Sequence, residues 1–257
     1  MVIRIVTKLE FTKNIKILFA VEHGDFLHGM RRDKSDMILA CIFVRKQDEY
    51  FTINSRDEEF YRFSTVMEDA RVECIELGWF LKQLHLGEID QFEQYTSHLC
   101  YYGNRNNLIA EIEVDDMCLR SLASRYKMKA WTLYSDTISI TGSCQISLLL
   151  PMIRLTLNSL FIETYERLPP HSFTKLISEL NLPPEVESPI ERYLAGYHSS
   201  YETTIHINDP LHDFLRRIIF KSDMETKHNI FEEDKYTPIF NKLYREAIYK
   251  YNSQGAK

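Results

Sequence analysis

Residue types that could do chemistry are concentrated between two apolar runs in the N-terminal part of the chain. Residues 17–21 and 37–44 are short apolar runs bounded by polar residues, a pattern typical of buried strands. Gly24 follows the first run and can supply a sharp backbone bend. Asp25 comes next, and Asp36 immediately precedes the second run. We therefore expect any reaction or ligand contact where the first strand ends and the second begins.

The order of residues in this strand–turn–strand segment can be compared with known families. The segment contains, in this order, Gly24-Asp25, His28-Gly29 and Ser35-Asp36-Met37-Ile38. It resembles the active-site hairpin of the predicted nucleotidyltransferases of bacterial and phage type in the DNA polymerase β superfamily. Their hairpin carries Gly-Ser, then Trp-Gly, then Ser-Asp-x-Asp at the start of the next strand. The spacing agrees, whereas Asp25 stands in place of the serine and Ile38 in place of the second aspartate.

Further motifs extend the resemblance over about residues 14 to 220. The matching segments are Leu86-Gly87-Glu88, Glu93, Arg154-Leu155-Thr156-Leu157 and Pro169-Pro170-His171-Ser172-Phe173-Thr174-Lys175-Leu176. The last segment agrees with the family's Pro-Pro-x-x-Phe-x-x-Leu at every fixed position. The resemblance implies an α+β (α/β) fold, in which a nucleotidyltransferase-like mixed-sheet lobe is followed by a helical lobe. We place the first lobe at residues 1–107 and the second at residues 108–257.

The resemblance also implies a set of functional residues. Two aspartates at i and i+2 on a strand point to one face, where both can bind Mg²⁺, a cation that prefers carboxylate oxygens. By analogy the metal ligands are Asp36, Asp25 and Glu73, with Asp69 as an alternative to Glu73, and the residual catalytic acids are Asp36 and Glu73. The nucleotide-binding residues are Gly24, Asp25, Ser35 and Arg154. We expect a cleft between these residues.

Three departures from the family pattern indicate a degenerate site. Ile38 offers no metal-binding oxygen, Asp25 puts negative charge where a serine would help to hold a triphosphate, and the basic residues before the Arg154 segment fall on Ser147 and Leu148. The leading hypothesis is therefore a pseudoenzyme that binds a nucleotide, an RNA end or a protein partner. The alternatives are an active metal-dependent nucleotidyltransferase with a reduced acid set and a structural subunit of an oligomer.

A basic-aromatic amphipathic helix is predicted at residues 236–251. It could pack on its own chain through Ile239, Phe240, Leu243 and Ile248, or it could dock on a protein partner or a second copy. His23 and His28 could form a replacement zinc or manganese site with Asp25 and Asp36, although histidines on a turn surface explain the same pattern.

Composition restricts location and partners. The chain has 257 residues, a net charge of −6 and five cysteines without a CxxC pair, which favours a reducing cytoplasm and argues against broad nucleic-acid binding. No signal-peptide pattern is present, and no membrane insertion is expected. Residues 146–166 are almost wholly apolar, but they include Arg154 and Asn158 and are interpreted as a core helix.

Local residue patterns predict the secondary structure of four further segments. Alternation of apolar residues at positions 2–6 predicts an edge strand, and the acidic, aromatic segment 54–70 predicts a loop or a short helix. Helical periodicity predicts helices at residues 115–134 and 210–221.

Overall fold

The computed structural model describes residues 1–30, 37–53, 56–104, 112, 114, 116–138, 143–198, 204–206, 209–221 and 233–254. Over these residues the chain alternates between helices and strands. The helices are α1 Val2–Lys13, α2 Gln47–Tyr50, α3 Glu58–Tyr61, α4 Leu77–Leu86, α5 Ile89–Thr96, α6 Asp116–Thr137, α7 Ile146–Tyr165, α8 Phe173–Leu180, α9 Pro184–His198, α10 Asp209–Ile219 and α11 Glu233–Gln254. The strands are β1 Lys16–His23, β2 Met37–Val44, β3 Arg62–Met67, β4 Ala70–Glu76, β5 Cys100–Gly103, β6 Ser143–Gln145 and β7 Thr204–His206.

The described residues form two compact units. The first contains those of residues 1–24, 36–113 and 231–257, and the second contains those of residues 25–35 and 114–230. The predicted lobe boundary at residue 107 lies outside the described residues.

A five-stranded mixed sheet is the centre of the first unit. Its strand order is β3-β4-β2-β1-β5. Strand β2 pairs antiparallel with β1 and parallel with β4, and the two outer pairs are antiparallel. The predicted strand–turn–strand hairpin is thus confirmed, because its two apolar runs are neighbouring strands, and so is the mixed α/β fold class.

Both faces of this sheet are covered. On one face the buried residues Ile5, Val6 and Leu9 of α1 pack against Leu39 and Val72 and their neighbours on β2 and β4. Helices α4 and α5 pack against the other strand surfaces. Burial of the sheet on both sides explains why β2 is an uninterrupted apolar run rather than an alternating one.

The predicted edge strand at residues 2–6 is wrong, because this segment begins helix α1. The buried residues Ile5, Val6 and Leu9 lie at helical spacing and face the sheet. A five-residue window was too short to reveal that period. The helix ends at Asn14, whose φ of 52° is the left-handed conformation common after a helix C-terminus.

The segment 54–70 contains the predicted short helix, α3, but it also contains strand β3, which was not predicted. Asp57 caps α3 by accepting a hydrogen bond from the Phe60 N–H at 3.0 Å. Strand β3 then alternates exposed and half-buried residues, as expected for an edge strand that pairs on one side only. Its charged and aromatic composition hid this alternation.

The second unit is predominantly helical, with a small sheet of β6 and β7. Its apolar helix α7 contacts α6, α8, α9 and α10. Helix α7 is long and apolar enough to cross a membrane, and 67% of its most apolar 18-residue window is buried within the protein. The core of a helical unit requires a helix of this composition.

Helix α11 belongs to the first unit although it is last in the sequence. Its buried residues are Tyr236, Phe240, Leu243 and Ala247. The helix contacts α2, α4 and β2. One face of the predicted 236–251 helix therefore packs on its own chain, and docking of another protein on this helix stays a prediction.

Candidate functional site

The hairpin turn after β1 brings Gly24 and Ile38 into contact. Gly24 has φ of +73°, a conformation that side chains other than glycine rarely adopt. A Cβ atom at Gly24 would lie 3.1 Å from Cδ1 of Ile38. His23 is the register partner of Ile38 on the neighbouring strand. An aliphatic side chain therefore occupies the space beside the glycine turn, at the position that the hairpin resemblance matches to a second aspartate.

The described residues of this hairpin do not fit a two-metal centre. Ile38 contributes no oxygen, and no group of three His, Cys, Asp or Glu side chains within the described ranges could hold a metal ion. The predicted metal ligand Asp36 and the predicted nucleotide-binding residue Ser35 lie outside those ranges. We therefore derive no catalytic step through Mg²⁺.

Glu73 lies on β4, in register with Ala40 of β2. Residues paired in register on neighbouring strands share a face, and so do residues two positions apart. Glu73 thus shares a sheet face with Ile38, and it lines a cavity of about 440 Å³ together with His23. The alternative acid, Asp69, lies in the β3–β4 turn with φ of 62°.

Asp25 is held by a tyrosine from a distant part of the sequence. The hydroxyl of Tyr197 on α9 donates a hydrogen bond to Oδ2 of Asp25 at 2.6 Å, across 172 positions of sequence. The carboxylate is therefore engaged with a protein donor. Sequence reasoning missed Tyr197, because nothing in its local pattern distinguishes it from other tyrosines on amphipathic helices.

The turn after Asp25 is attached to the Pro-Pro-x-x-Phe motif of the second unit. The backbone N–H of Phe173 donates to the carbonyl of His28 at 2.9 Å. Nδ1 of His28 lies 3.2 Å from the carbonyl oxygen of His171. His28 is only 3% exposed, so it is not a histidine on the turn surface. Two motifs that the resemblance identified separately thus meet in the structure.

Arg154 lies on α7 in the second unit and is 9% exposed. Glu163, nine residues further along the same helix, pairs with Lys127 at 2.6 Å and with Lys221 at 3.5 Å. Gly24 and Glu73 belong to the first unit, whereas Asp25 and Arg154 belong to the second.

The carboxyl group of Glu76 is buried in the first unit and is hydrogen-bonded. Glu76 is 1% exposed; it accepts from the Tyr50 hydroxyl at 2.8 Å and from the Trp79 N–H at 3.0 Å. Burial raises the pKa of Glu76 above its ordinary value of 4.5, and hydrogen bonds from Tyr50, Trp79 and Tyr244 oppose that rise. Glu76 caps the N-terminus of α4 and is an architectural residue.

The hairpin, the mixed sheet and the helical second unit define a nucleotidyltransferase-like protein of the DNA polymerase β superfamily. A sequence profile described as the RNA repair pathway DNA polymerase beta family matches residues 2–246, so the chain belongs to this family.

Individual relatives share little sequence identity with the chain. A protein described as "Uncharacterized protein YcgL", from Bacillus subtilis (strain 168), is 24% identical over 248 residues, which are 94% of this chain and 93% of the relative. A nucleotidyltransferase-like protein of known crystal structure from Exiguobacterium sibiricum 255-15 is 14% identical. The alignment covers 98% of this chain and 92% of that protein, with a TM-score of 0.32. The family match, rather than this structural overlap, carries the classification.

Proposed function

We propose that this protein is a catalytically degenerate member of its family that binds a nucleotide or an RNA end without transferring nucleotides at rates typical of the superfamily. The contact between Ile38 and Gly24 carries the proposal, because it puts hydrocarbon where the family pattern has a metal-binding carboxylate. Nucleotidyl transfer uses two metal ions to clamp the triphosphate and to activate the attacking hydroxyl.

The size of the expected defect follows from the electrostatics of the transition state. Single groups that stabilise charge developing in a transition state commonly contribute about 3 kcal/mol or more. Loss of one such carboxylate, with its share of a metal ion, lowers the rate by at least about a hundredfold. Asp25 adds to the defect, because its carboxylate, held by Tyr197, repels a phosphate rather than donating a hydrogen bond to it.

The family description supports the choice of ligand. It names an RNA repair pathway, in which a broken or unfinished RNA end is the natural object of recognition. We infer that the ligand is the terminal nucleotide of an RNA strand or a free nucleotide that resembles it.

An active nucleotidyltransferase with a reduced acid set is the second candidate. Glu73 favours it, because this residue faces a cavity on the same side of the sheet as Ile38. In that case Asp36 and Glu73 would bind Mg²⁺, with Asp25 as a further ligand. Its signature is nucleotide transfer that depends on Asp36.

Binding and transfer can be measured on the same preparation. Fluorescence anisotropy with an end-labelled RNA oligonucleotide measures binding, and incorporation of radiolabelled nucleoside triphosphates into unlabelled RNA, with Mg²⁺ or Mn²⁺, measures transfer. We expect saturable binding and no incorporation. Robust incorporation that Asp36→Ala abolishes would replace this proposal with the second candidate.

A restoring substitution provides the sharper test. Ile38→Asp re-creates the family's second aspartate, and Ile38→Asn is the matched control, with nearly the same shape but no negative charge. We expect incorporation to appear or to rise at least tenfold in the aspartate variant alone. Equal incorporation by the wild type and both variants would contradict the assignment of the defect to Ile38.

A further inference from the structure

A cavity in the first unit contains a buried polar atom without a partner. The cavity measures about 440 Å³, within the range of small-molecule sites. Gln94 of α5 lines it and is 1% exposed. Its Oε1 atom is buried and accepts no hydrogen bond from any residue that the structure describes. Nδ1 of His23, on the same cavity, is likewise unpartnered within the described part of the chain.

An unpartnered buried acceptor points to a missing donor. Most buried polar atoms in proteins are hydrogen-bonded, and leaving one unsatisfied costs about 1–3 kcal/mol. A leucine at position 94 would fill similar space without that cost. An N–H donor from a ligand in the cavity would satisfy Oε1 and offset the penalty, which explains why a polar side chain occupies this buried position.

Charges around the cavity restrict the chemistry of that ligand. Three carboxylates, those of Glu58, Glu73 and Asp90, line it against one guanidinium, that of Arg62. Arg62 is already engaged, because its Nε donates to Oε1 of Glu58 at 2.6 Å. Glu73 makes no ion pair or side-chain hydrogen bond to any other described residue. This surplus of two negative charges repels phosphates and carboxylates and attracts cations.

The remaining wall is suited to the apolar part of a small cation. Trp79 of α4 lines the same cavity. The guanidinium of Arg62 lies over the Trp79 ring, 5.5 Å from its centroid, so a cation already rests against this indole.

We propose that this cavity is a binding site for a small organic cation that carries N–H donors, such as an alkylguanidinium or alkylammonium compound. Its N–H groups donate to Oε1 of Gln94 and to the carboxylate of Glu73, and its alkyl part packs against Trp79. The inference goes beyond nucleotide or RNA binding and does not depend on it, since the acidic cavity disfavours phosphate.

Two cations of equal charge test the requirement for N–H donors. Butylguanidinium carries donors, whereas tetraethylammonium has none. Each is titrated into the full-length protein in the presence of EDTA, which removes metal ions that Glu73 could bind, and binding is followed by ligand-observed NMR. We expect saturable binding of butylguanidinium and none of tetraethylammonium. Equal binding of the two cations would overturn the proposal.

Variants then test the assigned acceptors. Gln94→Leu and Glu73→Gln should each weaken butylguanidinium binding at least tenfold, whereas Gln94→Glu, which keeps an acceptor at position 94, should retain it. Glu185→Gln, which removes an exposed carboxylate on α9, is the matched control and should bind as the wild type does. Native affinity in Gln94→Leu would overturn the proposal.

A titration with adenosine distinguishes cation binding in this cavity from nucleotide binding. Adenosine, a neutral compound with an amino group, is titrated under the same conditions. Adenosine binding that is tighter than butylguanidinium binding and is lost in Gln94→Leu would assign the cavity to a nucleobase and would overturn the cation proposal. RNA-end binding that persists in Gln94→Leu leaves the proposed function intact whatever happens to the cation.

Discussion

Two places in the first unit differ in how well the side chain suits its surroundings. They are the contact between Gly24 and Ile38 and the cavity lined by Gln94. At Gly24, the aliphatic Ile38 stands where the hairpin pattern that this segment resembles has a second aspartate. At the cavity, a buried amide oxygen occupies a position where an apolar atom would be more stable. The apolar side chain of Ile38 packs beside the turn, whereas burial of an unsatisfied amide oxygen at Gln94 costs stability.

Under the proposed function, one face of the sheet lacks a metal-binding carboxylate and keeps other polar groups. His23 and Glu73 line the cavity, and Ile38 shares their sheet face. Strand pairing positions these side chains, and it is made by backbone hydrogen bonds that do not depend on whether a given side chain carries a carboxylate. Replacement of one side chain, such as that at position 38, therefore leaves the neighbouring polar groups in place.

The largest expected change in the free energy of unfolding is at Ile38, beside the Gly24 turn. Ile38→Asp should lower the free energy of unfolding by about 2 kcal/mol, because a half-buried aliphatic group beside Gly24 is replaced by a charge. Urea denaturation at neutral pH measures the loss. Ile38→Val is the matched control, with an expected loss of about 0.5–1.5 kcal/mol. An aspartate variant as stable as the wild type would show that Ile38 contributes no packing energy.

A smaller change in the free energy of unfolding, of opposite sign, is expected at Gln94 in the cavity. Gln94→Leu should leave the free energy of unfolding unchanged or raise it by about 1 kcal/mol, because it removes an unsatisfied buried acceptor and keeps the side-chain volume. Gln83→Leu, on the more exposed surface of α4, is the control and should change stability by less than about 0.5 kcal/mol. A loss of about 2 kcal/mol or more in Gln94→Leu would mean that the amide has an architectural role.

The smallest effect concerns Glu76, a buried polar group that has its partners. Its folded pKa is raised, so the folded state holds the proton more tightly than the unfolded state does. The resulting stabilisation is complete below pH 4.5 and is lost as the pH rises through the folded pKa. Glu76→Gln should therefore gain stability relative to the wild type between pH 4 and pH 7.

Urea denaturation across this pH range measures the difference in the free energy of unfolding between the wild type and Glu76→Gln. This difference is small because hydrogen bonds to Glu76 oppose the rise of its pKa. Glu185→Gln provides the control for removal of one carboxylate. A Glu76→Gln variant that loses stability relative to the wild type as the pH rises would contradict the direction of the pKa shift.

Much of the fold was predictable because the responsible patterns are local. The apolar runs of β1 and β2, the period of α10 and the apolar length of α7 are each contained in about 8 to 20 consecutive residues. Helix α1 was not predicted because five residues were too few to show its period, and strand β3 was not predicted because its charged and aromatic composition hid its alternation. Strand β3 is defined by pairing with β4, and α1 by the sheet face that Ile5 and Leu9 cover.

The hairpin could be recognised in the sequence alone, and so could its resemblance to the family pattern, with Ile38 where that pattern has a second aspartate. These are properties of residue order, and folding does not change them. Only folding brings Ile38 onto Gly24 and Tyr197 onto Asp25 across 172 positions. Folding also buries Oε1 of Gln94, which has no hydrogen-bond partner among the described residues. The physical reason is that hydrogen bonds and burial depend on which distant surfaces meet, and a local pattern of polar and apolar residues does not specify that meeting.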